Sequence, residues 1–344
     1  MASRDKKILA CLLGIAFCSS LQSPAWGQAE SPEKLIEGAK KERTLVYYGS
    51  TSGPEALEMI RAFEKQYPFI KVNYYRAGSD TLMEKILIES RTGRHNADVY
   101  NMRSFTNSIL VQKGLLAKYR SPHSRFYADG FKDAAGRWTS IYMNPATIGY
   151  NSRLVPPAQA PKEWTDLLDP KWKGEMIMDR EESEWFANML KVMGREKGLE
   201  FMRKLAAQNI TFRVGHTLLA QLVAAGEFKI GVVLYSPRIE RMKSTGAPIE
   251  WVRAKPVIAY HYSISVAARA PHPNAARLFV DFFLSGEGQE LIAKVAGRVP
   301  VRAGVKPDPP RLVEGVNLVP SDSSLAEKDF KWYFDEYRKI FNVQ

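Results

Sequence analysis

Cysteine is almost missing: the 344 residues hold two, Cys11 and Cys18, both close to the N-terminus. Beyond them no disulfide and no thiolate metal site can form, so a folded domain there must rest on packed cores. Histidine is scarce as well, at five residues, and none stands in a His-x-His or His-Glu-x-x-His spacing, which argues against metal catalysis. Basic residues are plentiful but scattered. No polybasic run exceeds the pair Lys40-Lys41, and aromatic and basic residues do not interleave, so nucleic acid is not an expected partner. Internal repeats and low-complexity segments are absent, and the one apolar run near the start is too short to span a bilayer.

That run belongs to a three-part pattern. Arg4, Lys6 and Lys7 precede apolar residues 8–17, and small residues follow up to a cut after Gly27 or Ala29, which reads as a secretory signal over residues 1–27. Cys18 follows Ala16-Phe17 rather than the small pair of a lipoprotein site. Without the signal the chain keeps 46 basic and 36 acidic residues, a net charge of +10. Its 317 residues are enough for two domains. The positive excess suits either a solvated surface or a cleft for small anions.

Residues 35–117 alternate strand and helix. Leu45 to Tyr48 form a short apolar strand; Ala56, Met59, Ile60, Phe63 and Tyr67 recur at helical spacing; Ile70, Val72 and Tyr74 alternate with polar residues. A second helix carries Leu82, Met83, Ile86 and Leu87, and a third strand follows at residues 97–100. Such a βαβαβ unit builds a parallel sheet with its ligand outside the carboxyl ends of the strands. Those ends are residues 49–52, 76–79 and 101–104. The first, Gly49-Ser-Thr-Ser-Gly53, is a hydroxyl-rich loop opening a helix, where free N–H groups and the helix dipole favour an anion.

Residues 141–151 read as an extended crossing interrupted by Pro145, and the Pro-rich stretch at 156–161 opens a second α/β region that runs to about residue 256. Residues 257–267 are extended enough to cross back. Two crossings imply a hinged clamshell. The stripe Phe330, Tyr333, Phe334, Tyr337 and Phe341 marks a terminal helix whose aromatic face serves packing.

Leu45-Val-Tyr-Tyr, Ala97-Asp-Val-Tyr, Ile148-Gly-Tyr-Asn151, Trp164-Thr-Asp-Leu-Leu-Asp-Pro-Lys-Trp-Lys-Gly174, Val223-Ala-Ala-Gly-Glu227 and His272-Pro-Asn-Ala-Ala-Arg-Leu-Phe-Val280 together carry a resemblance. The chain resembles, in order and nearly throughout, the periplasmic solute-binding proteins of ABC importers, in their ferric-ion-binding branch. The resemblance implies an α/β fold of the type II periplasmic-binding-protein class, a two-lobed clamshell with two extended hinge crossings. Residues 28–143 and 258–310 would form lobe 1, residues 144–257 lobe 2, and residues 311–344 a helical tail packed on a lobe. It further implies a periplasmic monomer with no cofactor and no chemistry of its own, closing on a small solute and presenting it to an ABC permease in the inner membrane.

Iron-binding members of that family hold the metal with a histidine, a glutamate and a tyrosine pair. Those positions fall here on Thr51, Arg103 and Ser236-Pro237, so no metal ligand is expected. Fe³⁺ wants anionic oxygen, and an arginine adds positive charge instead. The expected cargo is therefore a solute that brings its own negative charge: a phosphate ester, phosphonate, sulfonate or carboxylate. Ferric ion or a ferric chelate is the alternative.

The candidate ligand-binding residues are Ser50, Thr51, Ser52, Arg103, Arg180, Tyr235, Tyr260 and Tyr262. Ser50 to Ser52 offer hydroxyls and backbone N–H groups, with helix capping as their purely structural role. Arg103 and Arg180 end strands and can grip an oxyanion bidentately. Tyr235, Tyr260 and Tyr262 lie on strands at the expected cleft edge, where core packing is the alternative. Arg76, Ser79, Glu182 and His216 are weaker candidates by position. A secreted hydrolase is the rival class, because Gly49 to Gly53 nearly spells Gly-x-Ser-x-Gly, but its centre is Thr51. A sensor accessory of the same fold would differ only in its partner.

Overall fold

The computed structural model describes residues 31–343, so the expected export signal and both cysteines lie outside the described residues. The chain begins with α1 (Pro32–Glu42), β1 (Thr44–Gly49), α2 (Gly53–Gln66), β2 (Lys71–Arg76), α3 (Ser79–Arg91), β3 (Val99–Arg103) and α4 (Ser104–Gln112). It crosses on β4 (Thr139–Asn151) into β5 (Met176–Asp179), α5 (Ser183–Met193), α6 (Arg195–Ala206), β6 (Thr211–Arg213), α7 (His216–Ala225), β7 (Ile230–Tyr235), α8 (Ser236–Ser244) and β8 (Ile249–Trp251). It returns on β9 (Val257–Val266) to α9 (Pro273–Leu284), α10 (Gly286–Lys294), β10 (Val299–Pro300), β11 (Leu318–Pro320) and α11 (Ser324–Phe341).

One sheet carries both lobes, in the order β2-β1-β3-β9-β4-β7-β5-β6. Its two ends are parallel blades, β2-β1-β3 and β7-β5-β6. Between them β9 and β4 pair antiparallel, Thr139 opposite Ile264 and Ala146 opposite Ile258. These are the two extended crossings. Pro145 does not interrupt β4. On its outer side β10 pairs at Tyr142 and Met143 and β7 begins at Ala146, so the proline falls in the gap between them.

Alternation along each strand feeds cores on both faces. In β1, Leu45 and Tyr47 turn to the large core that includes Phe63 and Phe279, whereas Tyr48 turns to Leu82, Met83 and Ile86 of α3. In lobe 2, Ile177 and Leu234 pack on Leu219, Ala220 and Val223 of α7. The Trp164 to Gly174 segment is structural: Trp164 and Trp172 are buried, and Trp164 Nε1 donates to Pro256 O at 2.8 Å. The aromatic tail also packs, with Tyr337 and Phe341 buried. Its helix α11 meets α4 of the first lobe as well as α5 and α6 of the second. Among the described residues no helix is long and apolar enough to cross a membrane.

Candidate functional site

Strands of both blades end at one cavity of about 100 Å³, lined by residues of both lobes. That is room for several water-sized groups.

From lobe 1 the loop Ser50-Thr51-Ser52 forms one wall. Ser50 N donates to Asn101 O at 3.0 Å, and Thr51 Oγ1 donates to Asn101 Oδ1 at 3.0 Å. Thr51 Oγ1 also shares a 2.9 Å hydrogen bond with Tyr142 OH at the start of the crossing. The loop is therefore held by its neighbours. Ser52 is the N-cap of α2 but makes no side-chain cap bond, which leaves its hydroxyl and the first-turn N–H groups to the cavity. Arg76, Gly78 and Ser79 follow from the end of β2 and the start of α3.

Lobe 2 supplies Asp179 and Glu181 after β5, residues 214–217 at the start of α7, and Tyr235 and Arg238 around the start of α8. Asp179 Oδ1 accepts from Glu181 N at 2.9 Å and Oδ2 from Gly215 N at 2.7 Å, which ties the two loops together. Gly215 has φ +105°, a conformation that only glycine adopts without strain. The helix it opens, α7, likewise has no side-chain cap. Tyr235 OH and Tyr262 OH are 3.1 Å apart, and the Tyr262 ring stacks on Tyr142 at 4.7 Å.

Charges in the cavity differ in how far they are already engaged. Arg103 is buried: Nη1 donates to Glu181 O at 2.8 Å, and its guanidinium lies 3.4 Å from Asp80, 3.6 Å from Glu184 and 4.0 Å from Glu181. Arg298 donates to Glu55 at 2.6 Å and to Asn144 at 2.9 Å. Arg76 and Arg238 have no ion pair among the described residues, and the buried Nε of Arg238 has no hydrogen-bond partner. Burial lowers the Arg238 pKa, against Glu55, with Arg298 and Arg241 adding to the repulsion. On the acidic side burial, then Asp80, raise the Glu181 carboxyl to about 7, and burial raises Glu184 to about 7 against the pull of Arg103. The Glu181 carboxylate reaches across to α3, so that a Cβ on Gly78 would stand 2.6 Å from its Oε2.

Six of the eight candidate residues line the cavity: Ser50, Thr51, Ser52, Arg103, Tyr235 and Tyr262. Arg103 does so with its charge already matched by carboxylates. Arg180 is exposed and does not line it, because alternation after β5 turns Asp179 and Glu181 inward and Arg180 outward. Tyr260 does not line it either: it lies one step deeper, fully buried, with its OH donating to Glu182 Oε2 at 2.5 Å. Of the weaker candidates, Arg76, Ser79 and His216 line the cavity, and Glu182 is buried behind it. At the positions where the resemblance leads one to expect metal ligands, Thr51 faces the cavity, Arg103 sits among its carboxylates, and Ser236 and Pro237 are buried at the start of α8.

Sequence reasoning missed Tyr142, Asn144, Asp179, Glu181, Arg238 and Arg298. Arg238 was within reach, as it opens the helix that follows a strand ending at the cleft. Arg298 has no local signal at all; only the fold returns it to β4.

Residues 98–322 match the family described as bacterial extracellular solute-binding protein. A "Putative 2-aminoethylphosphonate-binding periplasmic protein" of Salmonella typhimurium is 25% identical over 249 residues, 69% of this chain and 72% of that one. AfuA from Actinobacillus pleuropneumoniae, solved with exogenous fructose-6-phosphate bound, superposes with a TM-score of 0.79 at 24% identity, over 88% of this chain and 99% of AfuA. Iron-bound HitA from Pseudomonas aeruginosa gives 0.75 at 21% identity, over 86% and 99%. These two structures carry the fold, the type II two-lobed architecture. With well over half of its length matched to the family, the chain belongs to the bacterial extracellular solute-binding proteins, a family of binding proteins for transport rather than enzymes.

Proposed function

We propose that the solute carried between the lobes is a small phosphonate or phosphate ester, held by its anionic group. The observation that carries this reading is the pair Arg76 and Arg238: one comes from each lobe, neither has an ion pair among the described residues, and both line the cavity. Arg76 is exposed at the cavity wall and Arg238 half-buried in the opposite one, so an anion between the lobes meets a cation on each side. Closure is thereby tied to occupancy, since only a ligand touching both lobes stabilises the closed state. The uncapped starts of α2 and α7 add backbone donors on either side.

The acidic end of the cavity supports a second feature of the solute. Glu181 faces the cavity, and burial with Asp80 raises its pKa although Arg103 lies 4.0 Å away, so its charge is only partly compensated. An ammonium on the solute would complete that compensation, and the Salmonella relative is named for an aminophosphonate.

Ferric ion is the competing cargo. Three phenols, Tyr142, Tyr235 and Tyr262, line the cavity, but burial raises the pKa of each, which opposes the phenolates that bare iron needs. In the same reading residues 1–27 are a cleaved export signal, residues 28–143 with 258–310 and residues 144–257 are the two lobes, and the carrier works as a monomer.

A thermal-shift and calorimetric panel tests the proposal: 2-aminoethylphosphonate, ethylphosphonate, fructose 6-phosphate, inorganic phosphate, ferric chloride and ferric citrate. The expected result is 1:1 binding and a raised melting temperature with a phosphonate or phosphate ester. Glu181→Gln is expected to erase any preference for 2-aminoethylphosphonate over ethylphosphonate. Stabilisation by unchelated ferric ion alone would sink the anion reading.

A further inference from the structure

One group in the second-lobe wall is held at one end and free at the other. His216 opens α7; its Nε2 lies 3.1 Å from Glu182 Oε1 and 3.9 Å from Asp179 Oδ2. Its ring stacks on Tyr235 with centroids 3.8 Å apart. Both acids are themselves fixed. Glu182 is fully buried and accepts from Tyr260 OH, while Asp179 accepts from Glu181 N and Gly215 N. The other ring nitrogen, Nδ1, has no hydrogen-bond partner, although the ring lines the cavity. With Nε2 in ion-pair contact with Glu182 and the buried Nδ1 unpartnered, the ring can donate to an acceptor that arrives with the ligand.

We propose that His216 is a specificity-determining residue, whose imidazolium Nδ1–H donates to the anionic group of the solute while Glu182 and Tyr260 act as positioning residues that hold the ring through Nε2. This rests on the anion reading above. The charges around the ring favour the cationic form: burial opposes it, but Glu182 and Asp179 outweigh burial and raise the pKa, against a smaller opposing effect of Arg103. Glu181 also faces the ring, and Tyr235 lies beneath it. Affinity for an anion should then be greatest below the His216 pKa and decline as pH rises through it. Binding should raise that pKa further by linkage.

NMR of the imidazole resonances, with methylphosphonate and inorganic phosphate as probes, reads this directly. The His216 titration midpoint is expected to rise by about one unit on saturation, a tenfold coupling. In Glu182→Gln the midpoint of the free protein should fall. In a Glu181→Gln background, which removes the neighbouring titration, His216→Asn should flatten the part of the pH profile of affinity that the probe's own ionisation leaves, at some cost in melting temperature because Glu182 loses its partner. Probe binding that perturbs the Ser50 to Ser52 amides but leaves the His216 midpoint in place overturns this inference alone. If neither probe perturbs that loop, the anion reading falls with it.

Discussion

Arg103 and Arg238 show how surroundings divide one residue type into two roles. Arg103 lies against buried Asp80 and Glu184, so Arg103→Ala strands the Asp80 carboxylate away from water and pushes Glu184 further toward its neutral form. It is expected to cost about 3–5 kcal/mol of stability, read as a lowered urea midpoint. Arg238 pairs with nothing among the described residues, so Arg238→Ala should leave the urea midpoint nearly unchanged and weaken anion affinity by roughly tenfold to a hundredfold, the worth of a charge-assisted hydrogen bond. Equal effects of the two substitutions on stability would contradict this division. Glu184 gives a pH test. Its carboxyl is raised from the ordinary value to about 7, so between about pH 4.5 and 7 the folded state keeps a proton that the unfolded chain releases. Stability of the empty protein should fall across that window by up to about 3 kcal/mol, and Glu184→Gln should remove that part of the slope. Ser50 to Ser52 were legible because a strand, a hydroxyl-rich loop and a helix start follow one another locally. Arg180 was misplaced by a single residue, since the phase of a strand's last residues depends on where pairing stops, and the sequence does not mark that point.

At the scale of elements, the site is made of ends. α2 and α7 turn uncapped N-termini to the cavity from opposite lobes, and β1, β3, β5 and β7 deliver the loops that precede or adjoin them. Gly215 sets the entry angle of α7 with a positive φ, and a Cβ there would meet no atom within 4 Å, so the cost of Gly215→Ala is backbone strain alone. That substitution should lower stability by about 1–2 kcal/mol and weaken anion binding, because α7 can relax only by moving His216 and Thr217. Wild-type affinity in Gly215→Ala would separate the helix start from the site. The strands and most helices were readable from periodicity, since residues such as Leu45, Tyr47, Met59 and Phe63 announce which face is buried. The course of β4 through Pro145 was not. Tolerance of a missing N–H depends on which neighbouring strand lies beside it, a property of the sheet and not of the segment.

For the whole molecule, closure involves more than the two crossings. α11 lies against both lobes: Phe105 of α4, Ala187 of α5, Leu325 and Ala326 form one buried cluster, with Phe330 and Tyr333 packed on it. Tyr337 OH adds a 3.0 Å bond to Asp179 O, directly behind the cavity. The tail therefore touches both lobes instead of resting on one, a contact that would favour closure of the empty protein. Phe330→Ala, which removes the ring that faces Phe105 at 5.8 Å, should enlarge the ligand-free radius of gyration measured by small-angle X-ray scattering and weaken anion affinity a few-fold. An unchanged radius with an unchanged affinity would make the helix a passive cover.

Composition and periodicity by themselves determined the α/β class, the two extended crossings and a positively biased chain without thiols beyond its first residues, because each is written in local pattern or in simple counts. The match of segment order extended this to the family. Which charges are available to a ligand was decided only in three dimensions. Arg103 and Arg238 are equivalent as letters, and what distinguishes them is the set of carboxylates brought near from Asp80, Glu181 and Glu184, residues separated in the chain and joined only when the two lobes meet. Electrostatic roles depend on distance and burial, and the chain order carries neither.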